Sequence, residues 1–345
     1  MNRVARVVVV DDSAYVRKVM KEMLSRSPFL EVAGTARDGE DALEVVRRLQ
    51  PDVVTCDLIM PGVDGVEFIQ RQMAVKPVPI VIVSIAAEAS ERVLSGLDAG
   101  AVDFVQKPTA LATERMLDMA DDVIAKVKAA AAAPVGRLHR ASNGAAAIDY
   151  KQKPLANRFD IVVIGTSTGG PQGLKALVSR LPANFPVPVA IVLHMPIGYT
   201  AAYAQRLNEA SGLTVVEASE GDEVRAGVVF VAPAGRHLTF YRDGATVRTR
   251  LEVSPLDTSH KPSVDVLFQS AADVYGDRVL GVVMTGMGDD GRAGAAWIKA
   301  RSGSILTEAE ETCIVYGMPR AVVEAGLSDA SVPLDRMADA IVDRL

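Results

Sequence analysis

The stretch Phe159–Leu177, FDIVVIGTSTGGPQGLKAL, decides how the second half of this chain is read. An apolar strand runs into a glycine-rich turn, and Pro171 follows where a helix accepts proline, in its first turn. Ser167 therefore stands on a turn between strand and helix, where a serine hydroxyl can act as nucleophile. The helix N-terminus behind it favours developing negative charge. Backbone N–H groups there can stabilise an oxyanion, an effect worth about 3 kcal/mol per well-placed donor. Two later strands end in a similar way. Pro188–Pro196, PVAIVLHMP, brings His194 to a strand end, and Arg278–Gly291, RVLGVVMTGMGDDG, brings Asp289 and Asp290 to another. The C-terminal ends of parallel strands share one edge, so a hydroxyl, an imidazole and a carboxylate can converge there from distant positions.

GTSTG satisfies the G-x-S-x-G pattern, but the chain order Ser, His, Asp departs from the Ser, Asp, His order of α/β-hydrolases. A competing reading makes the same turn a phosphate-binding loop. Against it, the spacing is not G-x-G-x-x-G, the next strand ends in His194 where a ribose-binding fold offers Asp or Glu, and no Gly-Lys-Ser/Thr occurs. Alone, His194 would read as a hydrogen-bonded strand-end histidine; Ser167 and the acidic pair change that. The residues leave Asp289 and Asp290 open, since either can cap the helix GRAGAAWIKA. In His260–Asp265, HKPSVD, Ser263 can cap the following helix and Asp265 can favour its positive end, a structural account that does not extend to His260. His139 and His237 read as incidental, and Met195, Met284 and Met287 as packing residues.

With 345 residues, two domains are expected. Hydrophobic residues at 49% and charged residues at 23% are those of a soluble globular chain. A net charge of -6 supplies no electrostatic reason to bind nucleic acid or an anionic membrane. Cys56 and Cys313 lack metal-ligand spacing and read as small buried hydrophobes in a reducing cytoplasm. The N-terminus lacks the apolar core of a signal peptide and no apolar run reaches membrane-spanning length, so a cytoplasmic location is expected.

Ahead of the serine turn, β-branched runs near VARVVVV, LEVAGTA, DVVTCD, PIVIVS and VDFVQ alternate with amphipathic helical patterns, which specifies parallel βαβ units. The expected division is a first domain over 1–129, a linker over 130–158 without apolar periodicity, and a second domain over 159–345. The second domain reads as doubly wound, with an antiparallel insertion marked by the hairpin-turn dipeptide Asp243-Gly244.

In the first domain Asp11 and Asp12 end the first strand, Asp57 the third and Ser84 the fourth, while Lys107 follows the fifth, before Pro108. Three crowded carboxylates repel, and a hard oxygen-seeking cation such as Mg2+ would relieve that while organising a phosphoryl group. Asp57 is then the candidate phosphoryl acceptor, with Lys107 and Ser84 serving phosphate oxygens.

These residues resemble the response-regulator receiver family over about the first 125 positions. The resemblance implies a flavodoxin-like five-stranded sheet, phosphorylation at Asp57, Mg2+ on Asp11, Asp12 and Asp57, and a signalling pair in Ser84 and Lys107. Phe104 matches its aromatic switch position and reads equally well as a core aromatic. Ile85 is a departure, apolar beside the switch. GTSTGG, LHMP, HKPSVD and TGMGDDG, in this order behind a receiver, resemble the chemotaxis protein-glutamate methylesterase family. That resemblance implies Ser167 as nucleophile, His194 as base and acid, Asp290 as orienting carboxylate, and the backbone amides of Thr168 and Met287 as oxyanion donors. It places His260 beside the cleft, a candidate for substrate positioning. It further implies hydrolysis without a cofactor, methyl-accepting chemoreceptors as substrate, deamidation of their glutamines, a sensor histidine kinase as phosphodonor, and membrane proximity only through the receptor. The alternative is a phosphorylation-controlled module that binds a nucleotide or phosphopeptide without turnover.

Overall fold

The computed structural model describes residues 3–85, 90–107, 120–133, 158–255 and 257–345. The chain divides into two compact units, Met1–Arg140 and Ala141–Leu345. Residues 134–157, which hold most of the expected linker and His139, lie outside the described residues, as does Pro108.

In the first unit, β1 (Ala5–Val10), α1 (Ala14–Leu24), β2 (Leu30–Ala36), α2 (Gly39–Leu49), β3 (Val53–Cys56), α3 (Gly65–Val75), β4 (Ile80–Ile85), α4 (Ser90–Asp98), β5 (Asp103–Lys107) and α5 (Ala120–Ala131) follow one another. The sheet order is β2-β1-β3-β4-β5, all parallel, the flavodoxin-like arrangement expected. Apolar runs in β1 and β3 are buried on both faces, and α1 turns Val16, Val19, Met20 and Met23 onto the sheet at helical spacing. Ser13, Asp38 and Asp64 cap the first three helices, each accepting a backbone N–H from three residues on. The sheet order reverses between β1 and β3. Asp11 and Asp57 follow those two strands and so flank the crevice.

The second unit contains β6 (Ile161–Thr166), α6 (Gly170–Val178), β7 (Val189–Leu193), α7 (Thr200–Glu209), β8 (Thr214–Glu217), β9 (Val228–Val231), β10 (His237–Asp243), β11 (Thr246–Glu252) and α8 (Val264–Tyr275). It continues with β12 (Val279–Val283), α9 (Arg292–Ala300), β13 (Ser304–Glu308), α10 (Met318–Glu324), β14 (Ala330–Val332) and α11 (Leu334–Val342). Seven strands form a parallel sheet in the order β14-β13-β12-β6-β7-β9-β8. The antiparallel insertion is the β10–β11 hairpin, turned at Gly244 with φ +61°. Its apolar face, Leu238, Phe240 and Val247, packs in one core with Leu267, Phe268 and Ala271 of α8. β6 lies between β12 and β7, with Ile164 paired to Val282 on one side and Ile191 on the other. Ser167, His194 and Asp290 thus follow three neighbouring strands at one edge, on either side of a switch in strand order.

Candidate active site

Two sites occupy the two sheet edges. In the first unit, Lys107 Nζ sits between two buried carboxylates, 2.6 Å from Asp11 Oδ2 and 2.7 Å from Asp57 Oδ2. Asp57 Oδ1 accepts the Leu58 N–H at 2.7 Å, and Asp11 Oδ1 accepts that of Ser13 at 2.9 Å. Burial pushes the Asp11 carboxyl up, against the pull of Lys107, while burial of the Lys107 ammonium is outweighed by Asp57 and Asp11, which raise it. Asp12 is exposed, and the three carboxylates each offer an oxygen within 4.8 Å of the others. An all-oxygen set of this kind fits a hard divalent cation such as Mg2+. The Ser84 hydroxyl is buried and has no hydrogen-bond partner among the described residues, so it does not join Lys107 in the carboxylate network. Phe104 is buried on β5, and its ring lies 5.9 Å from Lys126 Nζ. The Ile85 side chain falls outside the described residues.

In the second unit the turn after β6 is fixed by β12. The Ser167 N–H donates to Thr285 O at 3.0 Å, and the Thr166 hydroxyl donates to the same carbonyl at 2.6 Å. Gly169 opens α6 in the left-handed region, φ +81°, and a Cβ there would meet Ile314 at 2.7 Å, so the position requires glycine. Ser167 is half-buried and Thr168 buried. Gly286 accepts the Gly317 and Met318 N–H groups, and a Cβ on Gly286 would lie 2.9 Å from Ser167 Cβ, which sets the Met287 backbone close to the serine turn.

His194 Nε2 lies 2.8 Å from Asp290 Oδ2, both largely buried. Asp289 is exposed and pairs with Arg292 at 3.0 Å, so of the two adjacent acids Asp290 is the one that reaches the imidazole. Asp290 also accepts from the Ser263 hydroxyl and from the N–H groups of Val264 and Asp265, at 2.8–2.9 Å. Burial works against the Asp290 carboxylate, but the His194 contact and the two helix amides outweigh it and hold the group at about 2. An ionised Asp290 accepts, which assigns the ring proton to Nε2 and leaves a lone pair on Nδ1. Nδ1 is buried and has no hydrogen-bond partner among the described residues. His260, exposed, stacks on this ring with centroids 4.0 Å apart.

Two expectations need correction. Ser263 occupies the N-cap of α8 but its side chain caps nothing, because its hydroxyl donates to Asp290. Asp265 stands in the first turn of α8 as expected, and its side chain also accepts the Gly291 and Gly294 N–H groups at 2.8 and 2.7 Å, capping α9. His237 is not incidental: it is fully buried, its Nδ1 accepts the Ser263 N–H at 3.2 Å and its Nε2 donates to Pro255 O at 3.1 Å. Burial lowers its pKa, which suits a neutral ring with one donor and one acceptor nitrogen. No sequence signal distinguishes this histidine, which stands in a hairpin strand with ordinary alternation.

A flavodoxin-like unit with an acidic pocket, joined to a parallel-sheet unit whose edge carries serine, histidine and aspartate, has the architecture of a response regulator with an enzymatic output domain. The comparisons narrow this further. The CheB methylesterase family model matches residues 162–341, and the response regulator receiver domain model matches residues 7–121. The chain belongs to the CheB methylesterase family, with a receiver domain at its N-terminal side. The protein-glutamate methylesterase/protein-glutamine glutaminase 5 of Myxococcus xanthus is 51% identical over 96% of this chain and 95% of its own length. That of Symbiobacterium thermophilum is 44% identical, covering 99% and 97% respectively. The crystal structure of the Thermotoga maritima CheB methylesterase catalytic domain matches 54% of this chain and 99% of its own, at 40% identity and a TM-score of 0.53.

Proposed function

We propose that this chain hydrolyses γ-glutamyl methyl esters on chemoreceptors and deamidates receptor glutamines, with Ser167 as nucleophile, His194 as base and acid, and Asp290 as its orienting carboxylate. The observation that carries the reading is the 2.8 Å His194–Asp290 contact on an imidazole whose other nitrogen is buried and unpartnered among the described residues. A buried acceptor without a donor calls for a reason, and a serine hydroxyl turning toward it is one. His194 Nδ1 takes the Ser167 proton as Oγ bonds to the ester carbon. The carbonyl oxygen gains the negative charge, which the Thr168 and Met287 amides receive. The C–O bond to methoxide then breaks, His194 returns the proton and methanol leaves. Water repeats the sequence on the acyl-enzyme, releasing glutamate and Ser167. With a glutamine substrate the leaving group is ammonia, by the same proton path. No step needs a cofactor.

Regulation lies in the first unit. Asp57 is the phosphoryl acceptor, a sensor histidine kinase the donor, and Asp11, Asp12 and Asp57 would hold Mg2+, which neutralises phosphoryl charge. Lys107, already in the pocket, and the Ser84 hydroxyl, without a partner among the described residues, can turn to phosphoryl oxygens, with Phe104 as the aromatic switch residue. A tenfold change in accessible catalytic unit requires only about 1.4 kcal/mol of differential stability. The receiver is assigned to 1–129 and the catalytic domain to 159–345. Among the described residues no helix is long and apolar enough to cross a membrane, and a cytoplasmic enzyme that meets membranes through its receptor accords with that.

The test is methanol release from methyl-esterified chemoreceptor membranes. The intact chain should release methanol, Ser167→Ala should not, and a phosphodonor should raise the rate in the parent but not in Asp57→Ala. Persistent release by Ser167→Ala would sink the assignment.

A further inference from the structure

Glu308 closes β13 and is completely buried, yet the reaction above makes no use of it. Its Oε2 accepts the Thr285 N–H at 2.9 Å, and its Oε1 is buried with no hydrogen-bond partner among the described residues. The neighbouring Thr312 gives its hydroxyl proton to Ala309 O and accepts the Leu334 N–H. Around the carboxyl, the segment after β13 brings the Cys313 thiol, pushed up by burial and by Glu308 itself, with Glu310 and Glu311 acting on that thiol from beyond. β14 brings apolar Val332 in register, α11 brings Leu334, and the end of β12 brings Thr285. No Lys, Arg or His pairs with Glu308 among the described residues.

Thr285 is the residue on which the nucleophile turn hangs. Its carbonyl accepts the Ser167 N–H and the Thr166 hydroxyl, and its own hydroxyl donates to Thr168 O at 3.0 Å. The same hydroxyl accepts the Val315 N–H at 3.0 Å, while Val315 O accepts the N–H of Gly286, the residue before Met287. One buried acid therefore anchors the residue that holds the backbone on both sides of Ser167.

We propose that Glu308 is a positioning residue of this reaction, fixing through Thr285 the Ser167 turn and the oxyanion donors, and working as the neutral acid. This rests on the reading of Ser167 as nucleophile. The physical reason is charge: a carboxylate buried behind the oxyanion cradle opposes the negative charge that forms on the ester oxygen, whereas the protonated acid does not. Burial pushes Glu308 up to about 7 from 4.5, against the pull of the Thr285 N–H and of the nearby Thr312 hydroxyl. The sign follows from an acid raised in the folded state. The productive neutral form is present below about 7 and is lost as the pH rises through it, and the stability it confers is complete below 4.5 and lost over the same rise.

The experiment compares methanol release by the full chain and by Glu308→Gln, with Ser167→Ala as the blank for spontaneous ester hydrolysis. For the parent, kcat should fall roughly tenfold between about pH 6 and about pH 8.5. In Glu308→Gln, which keeps an acceptor for Thr285 but cannot ionise, that fall should disappear. Fluorescence of Trp297, the single tryptophan, reports unfolding of the second unit, and the fall of its midpoint between pH 4.5 and about 7 in the parent should be absent from Glu308→Gln. An alkaline fall in Glu308→Gln equal to the parent's overturns the proposal, while methanol release by Ser167→Ala overturns instead the reading on which it rests. Glu308→Leu should lower kcat at every pH; if it does not fold, the Gln comparison still decides.

Discussion

Asp265 and Asp290 cap each other's helices. Asp290 accepts the Val264 and Asp265 N–H groups at the start of α8, and Asp265 accepts those of Gly291 and Gly294 at the start of α9. Two helix N-termini that would each leave N–H groups orphaned are satisfied by an exchange between the loops. The exchange is unequal. Burial raises Asp265, with Asp290 adding to the effect, while His194 and the helix amides hold Asp290 at about 2 against burial. The firm negative charge is thus on the carboxylate that touches the imidazole.

Asp290→Asn should leave the fold in place and spoil the reaction. An amide at this position can donate to His194 Nε2, which moves the ring proton to Nδ1 and removes the base. A loss of roughly 10³–10⁴-fold in kcat is expected, with little change in KM. Steady-state methanol release checks it, and an unchanged kcat would remove Asp290 from the mechanism.

The same carboxylate predicts an acid limb of stability. Its folded pKa of about 2 lies below the ordinary aspartate value of 3.8, so its contribution is present above 3.8 and is lost as the pH falls through about 2. The contribution is about 2 kcal/mol by the shift alone. Trp297 fluorescence during denaturant unfolding should show the second unit losing stability over this range, and Asp290→Asn should flatten that slope. Asp265→Ala, which uncaps α9, should cost about 1–2 kcal/mol without removing the slope.

Lys107 supplies the positive charge between Asp11 and Asp57, so Lys107→Met leaves two buried acids facing each other. The first unit of this variant should melt well below the parent without divalent cation, since breaking a buried pair costs about 3–5 kcal/mol. Added Mg2+ should narrow the gap by replacing the lost charge, and calorimetric melting with and without Mg2+ measures it. An equal gap under both conditions would argue against cation binding by Asp11, Asp12 and Asp57.

Both sheets are legible in the sequence because their signals are local. Apolar runs such as VVVV and IVVIGT, spaced by amphipathic helices, specify parallel strands, and parallel strands deliver their ends to one edge. Residues at those ends, Asp11 and Asp57 in one unit and Ser167 and His194 in the other, could be named from order alone. The polar residues behind them could not. His237, Thr285 and Glu308 are single polar positions in strands or strand ends, and nothing in their neighbours distinguishes them from surface residues.

What the sequence determined by itself was the family, the two βα architectures and the strand ends where chemistry gathers, because periodicity and motif order are properties of neighbouring residues. Tertiary structure decided which of two adjacent aspartates reaches His194, which ring nitrogen faces away from it, and that Glu308 is buried behind the serine turn. Each of these depends on groups from different elements meeting across the sheet edge: Asp290 faces His194 because α8 offers it amides from 26 and 25 residues away. That approach is fixed by packing of whole elements, to which no stretch of local sequence refers.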